Sequence, residues 1–141
     1  IAKRNAGKIG LPEVTLGVLP GTGGTQRLAR IVGKARSIEM MTTGATFSFE
    51  DAHAMGLVNH VYEAADFDAK LMEYARQFLP PNKASKAVGR IKRSVQSGLE
   101  MSFEASLALE RELQQQLFQS EDAKEGLAAY IEKRKANFKG R

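Results

Sequence analysis

The sequence predicts an α/β fold that ends in an extended helical region, and three observations carry that prediction. Short apolar pieces punctuated by Gly and Pro fill the chain as far as Ala45. From about Asp66 to the end, apolar residues recur at helical spacing. The composition changes regime near Thr46, which divides the chain into residues 1–45, a β/α layer, and residues 46–141, a mainly helical region. There is no internal repeat and no low-complexity tail.

Ile1–Asn5 and Lys8–Gly10 read as short strands joined by the turn Asn5-Ala6-Gly7. Leu11–Leu16 reads as a further strand, with Pro12 placing it at an edge or a strand start. Pro20-Gly21 breaks it. Thr22 is then positioned to cap a helix running to about Val32, with Leu28, Ile31 and Val32 facing inward and Gly33 closing it. Lys34–Thr43 is a second helix with Ile38 and Met41 on its apolar face, closed by Gly44. Ser48-Phe49-Glu50-Asp51 has the form of a capping box and opens a short helix ending at Gly56. Leu57–Tyr62 is the next strand candidate.

Four longer helices follow. Phe67, Leu71, Tyr74, Ala75 and Phe78 share one face of a helix from about Asp66 to Leu79, which Pro80 and Pro81 terminate. Ala84, Val88, Ile91 and Val95 form the stripe of a basic helix ending near Gly98. Ser102 caps a long helix in which Leu109, Leu113 and Leu117 repeat at helical spacing. Ser120 caps the last helix, from Glu121 to about Asn137, with Ala123, Leu127, Tyr130 and Ile131 suited to its inner face.

Composition narrows the function classes. A chain of 141 residues is long enough for one modest domain with a core. With 43% hydrophobic and 26% charged residues it reads as a soluble globular protein. No apolar run approaches the ~20 residues of a membrane span, so no membrane partner is expected. The opening Ile1-Ala2-Lys3-Arg4-Asn5 lacks the apolar stretch of a signal peptide and reads as strand interior. Cys is absent, which removes disulfides and thiolate metal sites and fits a cytoplasmic protein. The net charge of +5 suits nucleic acid, anionic lipid or a phosphorylated small molecule without choosing among them.

The chemistry-bearing stretch runs from Leu11 to Leu28. Glu13 is the only charge between Lys8 and Arg27, and Val14, Leu16, Val18 and Leu19 flank it. Apolar surroundings disfavour the charged form of a carboxylate, which suits an acid that gives up a proton near neutral pH. An edge residue, or the partner of a buried Arg, has the same pattern. Just beyond, Gly21-Thr22-Gly23-Gly24 leads into a helix, and bare amides at a helix start can hold water or an anion. This is not a dinucleotide fingerprint, because Gln26 stands where the third Gly belongs, nor a phosphate-binding P-loop, because no Gly-Lys-Ser/Thr follows. His53 and His60 have no further ligand at metal spacing, so no metal is expected. Lys83, Lys86, Arg90, Lys92 and Arg93 read as a solvated basic face. A nucleic-acid partner is not expected, because no binding motif or interleaved aromatic cluster accompanies them.

"LPEVTLGVLPGTGGTQRLARIVG", "TTGATFSFEDAHAMGLVNHVY" and the ending "EGLAAYIEKRKANF" resemble the enoyl-CoA hydratase (crotonase) family, in order and from Ile1 to Lys139. The resemblance implies the C-terminal part of a β–β–α spiral core followed by a helical trimerisation region, and so a C-terminal fragment of a longer polypeptide. It implies hydration of a trans-2-enoyl-CoA to the 3-hydroxyacyl-CoA, as in fatty-acid β-oxidation. Glu13 matches the second of the family's two glutamates, the one that supplies a proton to Cα, and the Gly21 amide would help hold the reacting water. Tyr130 and Lys133 match positions of the last helix that reach a neighbouring subunit's coenzyme A. The implied partners are an acyl-CoA and further copies of the chain, as a trimer or a dimer of trimers. Coenzyme A enters as substrate carrier, with no metal or redox cofactor.

Three other readings share these residues: a crotonase-fold isomerase using the same acid, a non-enzymatic helical assembly module, and a basic nucleic-acid binder. The 141 residues alone, without the family's first glutamate and oxyanion-hole segment, are expected to lack hydratase activity.

Overall fold

The computed structural model describes all residues, Ile1–Arg141. They form two compact units, Ile1–Leu71 and Met72–Arg141. In the first, β1 (Ala2–Lys3) pairs in parallel with β4 (Val61–Tyr62), with Ala2 opposite Val61. Strand β2 (Ile9–Gly10) pairs antiparallel with β3 (Thr46–Phe47), with Gly10 opposite Thr46. Residues 46–62 thus supply the partner for each of the two early strands. For that reason the contact boundary falls at Leu71, later than the composition change at Thr46.

Between the strands lie α1 (Gly24–Val32), α2 (Lys34–Thr43) and α3 (Phe49–Ala54). Helices α1 and α2 pack on each other around Leu28 and Met40, which are both buried. The α2 face is turned from the expected one. Ser37 and Met40 are inside while Ile38 is exposed, because the Ser37 hydroxyl satisfies itself on the Lys34 carbonyl at 2.9 Å. Ile31 of α1 is likewise exposed. The capping box on α3 is present in full: Ser48 Oγ accepts the Asp51 amide and the Asp51 carboxylate accepts the Ser48 amide.

Two departures from the sequence reading shape the candidate site. Glu13–Leu16 is a 3₁₀ helix and not a strand. Thr15 closes it through its amide and hydroxyl onto the Pro12 carbonyl, at 2.9 and 2.7 Å, and left-handed Gly17 ends it. Gly44 makes room for this turn, since a Cβ there would stand 3.1 Å from Val14 Cγ1 and 3.2 Å from Thr15 Cγ2. The other departure is at α1, whose N-cap is Gly23 and not Thr22.

Helix α4 (Phe67–Arg76) carries the chain from one unit's residues into the other's. The second unit holds α5 (Ser85–Gly98), α6 (Phe103–Phe118) and α7 (Glu121–Ile131). Helices α5 and α6 pack closely where small residues meet: a Cβ on Gly98 would lie 3.3 Å from Ser106 Cβ. Leu113 is the buried centre of the predicted leucine stripe, while Ile91 and Val95 of α5 stay exposed. Ser102 and Ser120 accept the Ala105 and Ala123 amides as caps.

The last helix stops at Ile131, short of the expected Asn137. Glu132 ends it, and Lys133 takes a left-handed backbone with φ 52°. The Lys133 amide donates to Tyr130 and the Arg134 amide to Ala129, at 3.3 and 3.0 Å, so the helix closes in a Schellman motif. Leu127, Tyr130 and Ile131 face outward, and the inner face is built from Asp122 and Ala129 instead. No helix is long and apolar enough to cross a membrane.

Candidate active site

Glu13 is the first residue of the 3₁₀ turn and is half-buried. Its Oε2 is buried with no hydrogen-bond partner. Native structures pair nearly all such atoms, and an unpaired buried acceptor costs about 1–3 kcal/mol. The flanking apolar side chains do not cause this burial. Val14, Val18 and Leu19 are exposed and Leu16 is 78% exposed, because the 3₁₀ turn points them away where a strand would have alternated them.

The glycine segment meets the Glu13 segment at Gly24. A Cβ on Gly24 would lie 2.8 Å from Pro20 Cβ and 3.4 Å from Leu11 Cδ1, so Leu11 and Pro20 close on the start of α1. Only glycine permits that approach. Gly21 is exposed, with nothing within 4 Å of where a Cβ would sit. Thr22 follows with φ 51° and Gly23 with φ 89°. A β-branched residue in the left-handed region is strained by about 1–3 kcal/mol. Gly23 brings no side-chain cap, and the first turn of α1 has no acid. The first amides of α1 are therefore left without a side-chain cap.

Tyr130 lies on the last turn of α7 and Lys133 just beyond its end, where the Lys133 amide donates to the Tyr130 carbonyl. Tyr130 is 84% exposed, and Lys133 is exposed at the chain reversal. The chain has three non-glycine residues with positive φ: Asn5, Thr22 and Lys133. Asn is a usual turn residue in that conformation. The other two are Thr22, next to Gly21 in the glycine segment, and Lys133 itself, at the end of α7. Glu13 and Gly21 belong to the first unit, and Tyr130 and Lys133 to the second.

The sequence reading missed what surrounds Lys133. Glu125 Oε1 accepts the Arg134 guanidinium at 2.6 Å and the Asn137 amide at 2.8 Å, and Oε2 accepts the second Arg134 nitrogen at 3.0 Å. These bonds, Arg134 first, lower the Glu125 carboxyl from its ordinary 4.5 to about 2 and push Arg134 up. No sequence signal announces the arrangement, because Glu125 and Arg134 are too far apart to be neighbours on a helix.

The chain belongs to the enoyl-CoA hydratase/isomerase family, whose sequence profile matches residues 1–141. It is 41% identical over 141 residues to a probable enoyl-CoA hydratase of Rhizobium meliloti, covering 95% of this chain and 51% of that protein. It is 39% identical over 143 residues to 2,3-dehydroadipyl-CoA hydratase of Escherichia coli, covering 100% and 54%. The crystal structure of an enoyl-CoA hydratase from Geobacillus kaustophilus matches with a TM-score of 0.91 at 50% identity, over 99% of this chain and 52% of that one. The fold is accordingly a crotonase-like α/β arrangement, and the chain spans about half the length of the curated relatives it matches.

Proposed function

We propose that this chain is the second half of an enoyl-CoA hydratase, which adds water across a trans-2-enoyl-CoA to give the 3-hydroxyacyl-CoA of a β-oxidation type of pathway. The observation that carries this is the buried, unpartnered Oε2 of Glu13, on a segment whose Leu11 packs against Gly24 at the uncapped start of α1. Glu13 supplies the proton to Cα, and the Gly21 amide helps to hold the attacking water. Negative charge develops on the thioester oxygen and needs two backbone donors. Those donors and a second glutamate are assigned to polypeptide outside these 141 residues. Coenzyme A is the substrate carrier, with no metal or redox cofactor. The assembly is a homotrimer or a dimer of trimers in the cytoplasm, in which Tyr130 and Lys133 serve a neighbouring subunit's coenzyme A. A ring against adenine and an ammonium near phosphate are sound recognition chemistry.

Isomerisation of the enoyl double bond is the second reading, favoured by the shared hydratase/isomerase description of the family. Incubating the intact enzyme with crotonyl-CoA and, separately, with a 3-enoyl-CoA separates the two. Loss of enoyl absorbance with formation of 3-hydroxybutyryl-CoA is expected. Conversion of a 3-enoyl-CoA to the 2-enoyl isomer without net water addition would favour the isomerase.

A further inference from the structure

Two carboxylates on α7, one turn apart, are committed entirely to the polypeptide that follows the helix. Asp122, 3% exposed, accepts the amides of Lys139 at 2.7 Å and Gly140 at 2.8 Å, and its own amide donates to the Arg141 carbonyl at 2.9 Å. Glu125 takes the Arg134 guanidinium and the Asn137 amide. Phe138 lies over Gly126, where a Cβ would stand 3.4 Å from Phe138 Cε1. Residues 133–141 therefore run back along α7, and the reversal point is Lys133.

We propose that Asp122 and Glu125 are positioning residues for the acyl-CoA nucleotide, acting through the tail on the backbone of Lys133. The proposal rests on the reading of Tyr130 and Lys133 as coenzyme A contacts. A non-glycine residue keeps a left-handed backbone only where its surroundings over-determine it. On the helix side the Schellman bonds fix Lys133, and on the tail side the two carboxylates do. Releasing the tail lets Lys133 relax to ordinary φ, and its ammonium then leaves the direction set by the last turn of α7. Neither carboxylate touches the nucleotide in this scheme.

The test compares two substrates in the intact enzyme. Crotonyl-CoA carries the nucleotide, and crotonyl-pantetheine carries the same thioester without it. Lys133→Ala is expected to raise KM for crotonyl-CoA by about three- to fivefold more than for crotonyl-pantetheine, the size of one solvent-screened ion contact. Asp122→Asn and the milder Glu125→Gln, at a less buried position, are expected to show the same substrate-selective rise. Combining Glu125→Gln with Lys133→Ala should add no further selectivity, because one acts through the other. Equal losses on both substrates for the carboxylate variants, or selectivity that adds in the double variant, would overturn the positioning role alone. No selectivity in Lys133→Ala would overturn the coenzyme A reading, and the positioning role with it.

Discussion

The Pro12–Gly24 loop and the end of α7 both hold a non-glycine residue in a left-handed backbone, yet they treat their carboxylates in opposite ways. Glu13 keeps a buried oxygen with no partner, whereas Asp122 and Glu125 are hydrogen-bonded to amides and to Arg134. Backbone strain is common to the two places and so does not by itself identify chemistry. The state of the acid separates them. An unpaired oxygen leaves an acceptor free for a further group, and a carboxylate whose oxygens accept from amides and Arg134 serves as an anchor. The anchoring acids keep the strained lysine in place, while the strained threonine borders a helix start whose amides have no side-chain partner.

The largest effect that would sharpen this contrast belongs to Glu13. Glu13→Gln in the intact enzyme is expected to lower kcat on crotonyl-CoA by about 10²–10⁴-fold, the usual weight of general acid catalysis. The same change should not lower thermal stability, because no native hydrogen bond to the buried oxygen is lost. A marked fall in melting temperature would place Glu13 among the structural acids and break the comparison.

Gly24→Ala comes next. Its Cβ would meet the rigid Pro20 ring at 2.8 Å, and overpacking of that kind costs about 1–3 kcal/mol. Urea unfolding should show the loss, and the displaced turn should lower activity together with stability.

Lys133→Gly separates strain from function at the other end. Relieving the left-handed backbone should raise stability by about 1 kcal/mol by denaturant titration. Coenzyme A affinity should fall at the same time. A variant that gained stability and kept its affinity would mean that lysine is unnecessary at that turn.

The smallest effect is a pH dependence. Arg134, and after it the Asn137 amide, lower the Glu125 carboxyl in the folded chain to about 2 from its ordinary 4.5. The folded value lies below the unfolded one, so the contribution is complete above about pH 4.5 and is lost as the pH falls toward 2. Circular-dichroism melts of the wild type should steepen their decline in that window, and Glu125→Gln should flatten it. Identical curves for the two proteins would contradict the anchoring role.

Much of this was legible in the residues. Pro12-Glu13 and the Pro20–Gly24 run stood out as the candidate site because an isolated acid and clustered glycines are conspicuous in an apolar stretch. Ser48, Ser102 and Ser120 fixed three helix starts, since capping is a local interaction between near neighbours. Strand Leu11–Leu16 failed because alternation of apolar residues over so short a run cannot register the hydroxyl of Thr15 closing on Pro12. Tyr130 and Ile131 were placed inside by helical periodicity, but the tail returns over Gly126 and buries a different face. The grip of Asp122 and Glu125 on that tail depends on contacts between residues far apart in the chain, which no periodicity encodes.

The central claim, that Glu13 is the acid delivering a proton to Cα, is tested most directly by hydrating crotonyl-CoA in D₂O at saturating substrate. The quantity to follow is the rate at which deuterium appears at Cα of the product. For Glu13→Gln the account predicts delivery slower by about 10²–10⁴-fold, with Glu125→Gln close to wild type at saturation. Wild-type deuterium delivery by a folded Glu13→Gln enzyme would contradict it.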